Sequence, residues 1–284
     1  MGGTRGAARA ASWSGKANRL SEEHVPWRDI DLAHEATPKP HSAAASPAAT
    51  PTAFELAPPR LDFAAATIVR QRRSAVDFNG VTSIPADVFY TMLAPLLPRA
   101  GTPPWNAWPW PPRVHLMLFV HRVDGLEPGL YAFLRDVCAL EPLKGAMRRE
   151  WLWCKIGPAH LPLYLLLPHD LREAAKLICC HQDIAADACF ALGMLACFAD
   201  VEHAPWRYRR LYWECGMVGQ TLYLEAEAAG IRTTGIGCFS DGEMHRLLGL
   251  QGQRWQSLYH FTAGGAVEDP RLTTLAPYGP QVSG

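Results

Sequence analysis

Residues 114–120 (VHLMLFV) place apolar side chains at nearly every position. An extended chain built from them is apolar on both faces, which predicts a strand buried in an interior rather than one lying half-exposed. Such a strand needs a sizeable body around it. The chain can supply one: it has 284 residues, of which 49% are hydrophobic and 19% charged, a globular rather than disordered composition. The length suits one large domain or two modest ones.

The elements around this strand can be read in order. Residues 1–16 are small and basic and read as a tail. Residues 17–36 carry Leu20, Val25, Trp27 and Ile30, so this stretch could dock on something. Residues 37–59 are rich in Ala, Pro, Ser and Thr and read as a linker or an extended wrap. Residues 1–59 are therefore expected to be tail and linker, and residues 60–284 the folded domain. Within it, helices are predicted over 62–73 and 85–97, with Pro85 at the first position of the second. Residues 101–112 (GTPPWNAWPWPP) cannot be regular structure. Strands are predicted over 129–135 and 161–167. Two long helices follow, over about 171–199 and 207–229, the second ending at Gly230. Gly216 and Gly219 weaken that second helix unless another backbone or a ligand lies close. A glycine-rich loop over 233–239, a helix over 241–249 and a strand over 256–263 complete the body. Helices, then strands, then helices, then a strand make this an α+β chain rather than an alternating βαβ one.

Charge and composition narrow the function. Lys+Arg and Asp+Glu are both 27, so the formal net charge is zero. There is then no bulk basic field to hold nucleic acid or an anionic membrane, and neither is expected as a partner. No apolar run reaches the length of a membrane span. No secretory signal is apparent; the basic, acid-free first 20 residues faintly resemble a transit peptide, with a plain tail the simpler reading. The eight cysteines form no CxxC pair, and five of them (179, 180, 189, 197 and 215) fall in segments read as buried helices. This usage points to a reducing compartment, expected to be the cytoplasm, and to no disulfide framework. The eleven histidines show no metal-ligand spacing, so no metal is expected.

Several residues have chemistry worth placing. Arg72, Arg73 and Ser74 put two guanidiniums and a hydroxyl together, which suits a phosphate or polar cofactor tail, or else a solvated helix end. Gly235 and Gly237 in TTGIGCF would let a backbone approach a planar ring or an anion, or make a plain turn. Glu214 and Gln220 lie on one apolar helix, and His181, Asp183 and Asp187 on the other; buried polar groups there need partners. Trp105, Trp108 and Trp110 could line a pocket or pack in the core. No catalytic triad or carboxylate pair can be assigned by spacing.

Taken in order, these blocks resemble the nitroreductase-like flavoprotein family, and within it the SagB-type dehydrogenases, the azoline oxidases of peptide natural-product pathways. RRSAVDF (72–78) resembles the family's RRSxRxF start, and GTPPWNAWPWPPRVHLMLFV its loop-then-strand element. VDGLEPGLYAF (123–133) resembles the SagB-type VxGLxPGLYxY block. ECGMVGQTLYLEAEAAGI (214–231) resembles the family's GxxxQNLxLxA helix, and TTGIGCF and SLYHFTAGG its flavin-covering loop and last core strand. The likeness covers roughly residues 60–275.

The resemblance implies an α+β fold with a central mixed or antiparallel sheet between long helices. It also implies an intertwined dimer with FMN at the subunit interface. Arg72, Arg73 and Ser74 would hold the FMN phosphate and ribityl chain, with Arg271 completing the phosphate site. Asn106 would reach the ring or substrate. Gly235, Ile236 and Gly237 would lie against the isoalloxazine, and hydride would pass through flavin N5. His181, Tyr208 and Tyr212 are the candidates for a catalytic acid or base. Three departures stand out. Val76 takes the place of the Arg in RRSxRxF. Thr221 takes the place of the Asn after Gln220. The Lys-Tyr pair of azoline oxidases has no counterpart: Lys176 precedes Leu177, and Tyr208 and Tyr212 neighbour only Arg. They leave room for a non-catalytic module that supports a partner, or for a broad NAD(P)H nitroreductase. The leading segment also resembles an inter-module linker, so the chain could be the second module of a tandem protein.

Overall fold

The computed structural model describes residues 12–40 (13, 17, 20 and 24 excepted), 64–99 and 101–275. These fall into two compact units that divide after Pro38. The expected boundary at 59/60, the 37–59 linker from residue 41 onward, Leu20 and the predicted helix start at Asp62 lie outside the described residues. In the first unit, helix α1 (Arg28–Ala36) buries none of its residues, and Val25, Trp27 and Ile30 are all exposed.

The second unit begins with α2 (Ala65–Gln71), β1 (Ile84–Pro85) and α3 (Ala86–Leu93), the last continued by a 3-10 turn at Ala94–Leu96. The proline-rich segment then forms only a 3-10 turn at Trp105–Ala107. After it come β2 (Val114–Val120), β3 (Val123–Asp124) and β4 (Gly129–Phe133). Helix α4 (Leu140–Ala146), β5 (Cys154–Lys155), β6 (Leu163–Pro168), α5 (Arg172–Ile178) and α6 (Asp183–Ala186) follow. The chain continues through β7 (Phe190–Cys197), α7 (Tyr208–Ala228), β8 (Arg232–Ile236), α8 (Asp241–Leu248) and β9 (Trp255–Gly264).

Seven strands form one antiparallel sheet in the order β5-β6-β4-β2-β7-β9-β8; β1 and β3 pair separately and in parallel. Strand β2 is buried at every position, as its apolar faces require. Its Val114, Leu116, Leu118 and Val120 enter one core with Leu211, Cys215, Val218 and Leu222 of α7. Its Met117 and Phe119 enter another with Leu143 of α4, Ile178 of α5 and Leu248 of α8. Period-two alternation thus divides one strand between two cores, and helices cover both faces of an α+β molecule.

Two predicted elements are corrected. The helix expected over 171–199 is α5, α6 and strand β7. Cys180 (φ 55°) and His181 (φ 61°) adopt left-handed backbone after Ile178, which ends α5. The apolar run from residue 188 onward is a strand held between β2 and β9. Ala, Leu and Met favour helices, but burial on both faces overrides that preference. The expected glycine-rich loop likewise contains β8, which pairs with β9 from Arg232↔Gly264 to Ile236↔His260. Of the five cysteines expected in helices, Cys189 and Cys197 flank or end β7, and Cys180 is exposed in the turn after α5.

The polar residues on α7 part company. Gln220 is exposed, while Glu214 is 1% exposed. The Glu214 carboxylate accepts from the N–H groups of Arg113 (3.0 Å) and Val114 (3.3 Å) and pairs with the Arg135 guanidinium. Burial pushes the Glu214 carboxyl up, against the pull of Arg135 and the two N–H groups. Arg135 also donates to the carbonyls of Leu96 and Val114 and lies over the Trp105 ring. This buried pair ties α7 to the start of β2 and to the turn after α3. The tryptophans serve the same packing: Trp105 and Trp108 are buried, and Trp105 Nε1 donates to the Pro95 carbonyl at 2.7 Å.

Candidate functional site

The segment after α2 lies along β8. Ser74 bridges Thr233, with the Ala75 N–H donating to the Thr233 carbonyl at 2.9 Å. Tyr223, reaching across from α7, joins the two segments. Its hydroxyl accepts from the Gly235 N–H at 3.1 Å and lies 2.8 Å from Ser74 Oγ. The Arg72 guanidinium lies 4.7 Å from the Tyr223 ring centroid and forms no ion pair among the described residues. A cation, two hydroxyls and a backbone N–H therefore converge at one place. The buried Thr233 hydroxyl beside them has no hydrogen-bond partner among the described residues.

Glycine is required at position 235 for a steric reason. A Cβ there would overlap the Tyr259 hydroxyl and fall 2.7 Å from its ring carbon Cζ. Gly219 on α7 has a similar cause, since its Cβ would meet the Phe261 ring at 3.3 Å and the Tyr259 ring at 3.5 Å. Gly216 faces no heavy atom within 4 Å and lies on an exposed line with Tyr212, Trp213 and Gln220.

At the other end of this stretch, Gly237 opens into a cleft of about 510 Å³. Tyr208 and Tyr212 of α7, Phe198, Phe239, Asp241 and Ser257 are among its walls. The Tyr208 and Tyr212 hydroxyls are 3.1 Å apart. Burial, and then the Tyr208 hydrogen bond, raise the Tyr212 phenol above its usual value, so it is a proton donor rather than a base. Behind the wall, Ser257 Oγ lies 2.9 Å from His260 Nε2, and the Phe239 ring sits 4.4 Å from the His260 ring. Burial lowers His260 to about 4. The volume and the mixed aromatic and polar lining suit a small organic ligand. Tyr212 and Tyr223 are 11 residues apart on one helix, about 16 Å along its axis. Gly235 to Gly237 connects the donor cluster to the cleft.

The structure thus brings Arg72, Ser74 and Gly235 together, and separately Tyr208, Tyr212 and Gly237. Arg73 turns to the carbonyls of Arg70, Arg72 and Leu275. The Ile236 side chain is buried in the core, leaving only its backbone to a ligand. Asn106 is exposed in its 3-10 turn, His181 is exposed in the turn before α6, and neither lines the cleft. Arg271 is exposed and pairs with Asp269 at 2.7 Å. Asp183 pairs with Lys176 at 2.5 Å, and Asp187 lies 4.0 Å from Arg122. Sequence reading missed Tyr223, Tyr259 and Thr233. For Tyr223 a signal existed: it is the aromatic four residues after Gly219 on the same helix face. Among the described residues, no group of three His, Cys, Asp or Glu is placed to hold a metal, and no helix is long and apolar enough to cross a membrane.

Residues 145–265 match the model of the Nitroreductase family. The match contains α7, β8 and β9 and leaves Arg72–Ser74 and Asn106 outside it. No curated protein matches the chain. Among solved structures, the chain is similar to a protein described as a nitroreductase from Anabaena variabilis, with 19% identity and a TM-score of 0.55. That alignment covers 72% of this chain and 38% of the other, so the chain spans well under half of that relative. A protein described as a nitroreductase from Ralstonia eutropha gives 16% identity and a TM-score of 0.52, covering 80% of this chain and 97% of that one. The E. coli microcin synthetase McbBCD complex with truncated pro-MccB17 bound gives 12% identity and a TM-score of 0.52, covering 88% and 85%. The chain has a nitroreductase-like fold, and its residues 145–265 match the Nitroreductase family model.

Proposed function

We propose that this protein is an FMN-dependent oxidoreductase of the SagB type, acting on a peptide azoline held in the Tyr208–Tyr212 cleft. The observation that carries the reading is the convergence of Arg72, Ser74, Tyr223 and the Gly235 N–H at one end of β8, with the cleft at the other. The residues fit the cofactor. A guanidinium without an ion pair among the described residues, beside two hydroxyls, suits a phosphate. The orphaned Thr233 hydroxyl offers a further polar contact. Gly237, with open space where a Cβ would be, lets the backbone approach a flat ring. FMN, when bound, supplies hydride transfer through N5. The protein would position the ring and substrate, exclude water with Phe198 and Phe239, and donate a proton from the Tyr208–Tyr212 pair. The SagB assignment rests on the VDGLEPGLYAF resemblance. In this structure that block builds a turn and β4, with the Tyr131 hydroxyl bonded to the Glu127 carbonyl.

The exposed line of Tyr212, Trp213, Gly216 and Gln220 on a helix elsewhere buried or half-buried supports pairing with a second copy or a second nitroreductase-like module. Val76, 70% exposed where the family pattern has Arg, favours a second reading as a non-catalytic partner module. The deciding measurement is the visible absorbance of the purified chain with and without added FMN. A bound-flavin spectrum supports the enzyme; no binding with FMN in excess supports the partner module. Rapid NAD(P)H turnover with a quinone would replace the azoline assignment with a broad nitroreductase.

A further inference from the structure

Beside the cleft, two exposed cysteines from distant parts of the chain lie on adjoining segments. Cys180 lies in the turn after α5, and Cys238 lies between Gly237 and Phe239 of the cleft wall. Hydrogen bonds clamp the two segments together. The Gln182 side-chain amide donates to the carbonyls of Cys179 (2.8 Å) and Cys238 (3.1 Å). The Ser240 N–H donates to the Ile178 carbonyl at 2.7 Å. The left-handed backbone at Cys180 and His181 shapes the turn that presents the first thiol.

The other cysteines lack this arrangement. Cys179, Cys189 and Cys215 are buried, and burial raises their thiols, Cys179 to about 12 and Cys189 to about 11. Cys138 is exposed, but the Asp136 charge beside it opposes its thiolate. Cys180 instead interacts with the Cys238 thiol, which raises Cys180. Among the described residues no third ligand stands by to make this pair a metal site.

We propose that Cys180 and Cys238 are a reversible dithiol–disulfide site beside the cleft, with a small-molecule disulfide as co-reactant. The Cys238 thiolate attacks one sulfur of that disulfide, forming a mixed disulfide and releasing one thiolate. Cys180 passes its proton to the released thiolate and then attacks the Cys238 sulfur, expelling the second thiolate. The second leaving thiolate takes the proton that Cys238 gave up, so the protein loses two protons and two electrons and the small disulfide becomes two thiols. The new bond fastens the 237–239 wall to the turn after α5, so oxidation state sets the mobility of the cleft. None of this requires flavin.

The test uses the full chain and glutathione. Native protein is incubated with oxidised glutathione, quenched with iodoacetamide and digested for mass spectrometry. The expected product is a linked Cys180–Cys238 peptide pair, lighter by two hydrogens and reversed by dithiothreitol. Alkylation of Cys238 should fall roughly tenfold, because an intramolecular thiol outcompetes dissolved glutathione. In Cys180→Ser, confirmed as folded by its far-UV circular dichroism, Cys238 should instead hold glutathione as a stable mixed disulfide. The proposal is overturned if the wild-type chain carries glutathione on Cys180 and Cys238 without the link. It is equally overturned if the link forms no more readily than one between the exposed Cys138 and Cys154. These readouts need no cofactor, so their failure leaves the flavin reading untouched.

Discussion

Arg72 is the residue on which the proposed phosphate site depends most. Its guanidinium rests on the Tyr223 ring, without an anion among the described residues, 4.7 Å from the ring centroid. Charge-assisted hydrogen bonds are the strong ones, so the double variant Arg72→Ala, Arg73→Ala should weaken FMN binding roughly tenfold or more. Fluorescence titration of apoprotein with FMN measures this, and unchanged affinity sinks the assignment. A second prediction at this scale concerns buried histidines. Burial, first among the causes, lowers His115 to about 3 and His121 and His260 to about 4. The unfolded chain takes up these protons near pH 6.5, whereas the folded chain resists until much lower pH. Stability should therefore be fully present above pH 6.5 and fall as pH drops toward 4, by at most about 1.4 kcal/mol per pH unit per histidine. Urea unfolding between pH 7 and 5.5 measures this slope, which Glu225, raised to about 7 by burial, and the raised Glu214 oppose in that window. The comparison with His260→Gln isolates one histidine: the variant should lose less stability than the wild type as pH falls across this window, and parallel profiles would contradict the assignment.

At the scale of elements, β8 shows how a strand can hide as a loop. Its sequence, RTTGI, has a glycine in the middle, and glycine inside a strand usually marks a close approach. The approach is to Tyr259 on the neighbouring β9, a partner that adjacency in sequence does not reveal. Gly235→Ala should cost about 1–3 kcal/mol through overpacking. Adding Tyr259→Phe, which removes the overlapping hydroxyl, should recover part of that loss in thermal denaturation. Additive losses would mean that Tyr259 is not what excludes a side chain at position 235. Strand β7 failed as a prediction for a related reason. Its sequence, FALGMLAC, has no polar face and so no period to distinguish strand from helix. Its strand form depends on β2 and β9, which start 76 residues before it and 65 residues after it.

For the whole molecule, α7 is the axis on which fold and proposed site meet. One face is buried against the sheet through Leu211, Cys215, Val218 and Leu222, while Tyr212 (42%) and Trp213 (57%) stay exposed. If this line pairs with a second copy, Trp213→Glu should convert a dimer to a monomer in sedimentation velocity, with the far-UV spectrum unchanged. A wild-type chain that is monomeric at every concentration, alone and with FMN, removes the homodimer from the proposal.

Much of this architecture could be read from side-chain periodicity. The doubly apolar β2, the amphipathic start of α7 and the Ser240-capped α8 each carry their cause within a few residues, so local chemistry was enough. Arg72, Ser74 and Gly235 were legible as residue types suited to a phosphate and a close backbone approach. That they converge was not legible, because Tyr223 meets them only after α7 turns back along β8. The same holds for the Glu214–Arg135 pair, the Tyr259 ring behind Gly235 and the two cysteine-bearing segments clamped by Gln182. Periodicity reports which side of an element faces inward. Which side chains meet there depends on how distant strands order and register, a cooperative outcome of packing the whole chain.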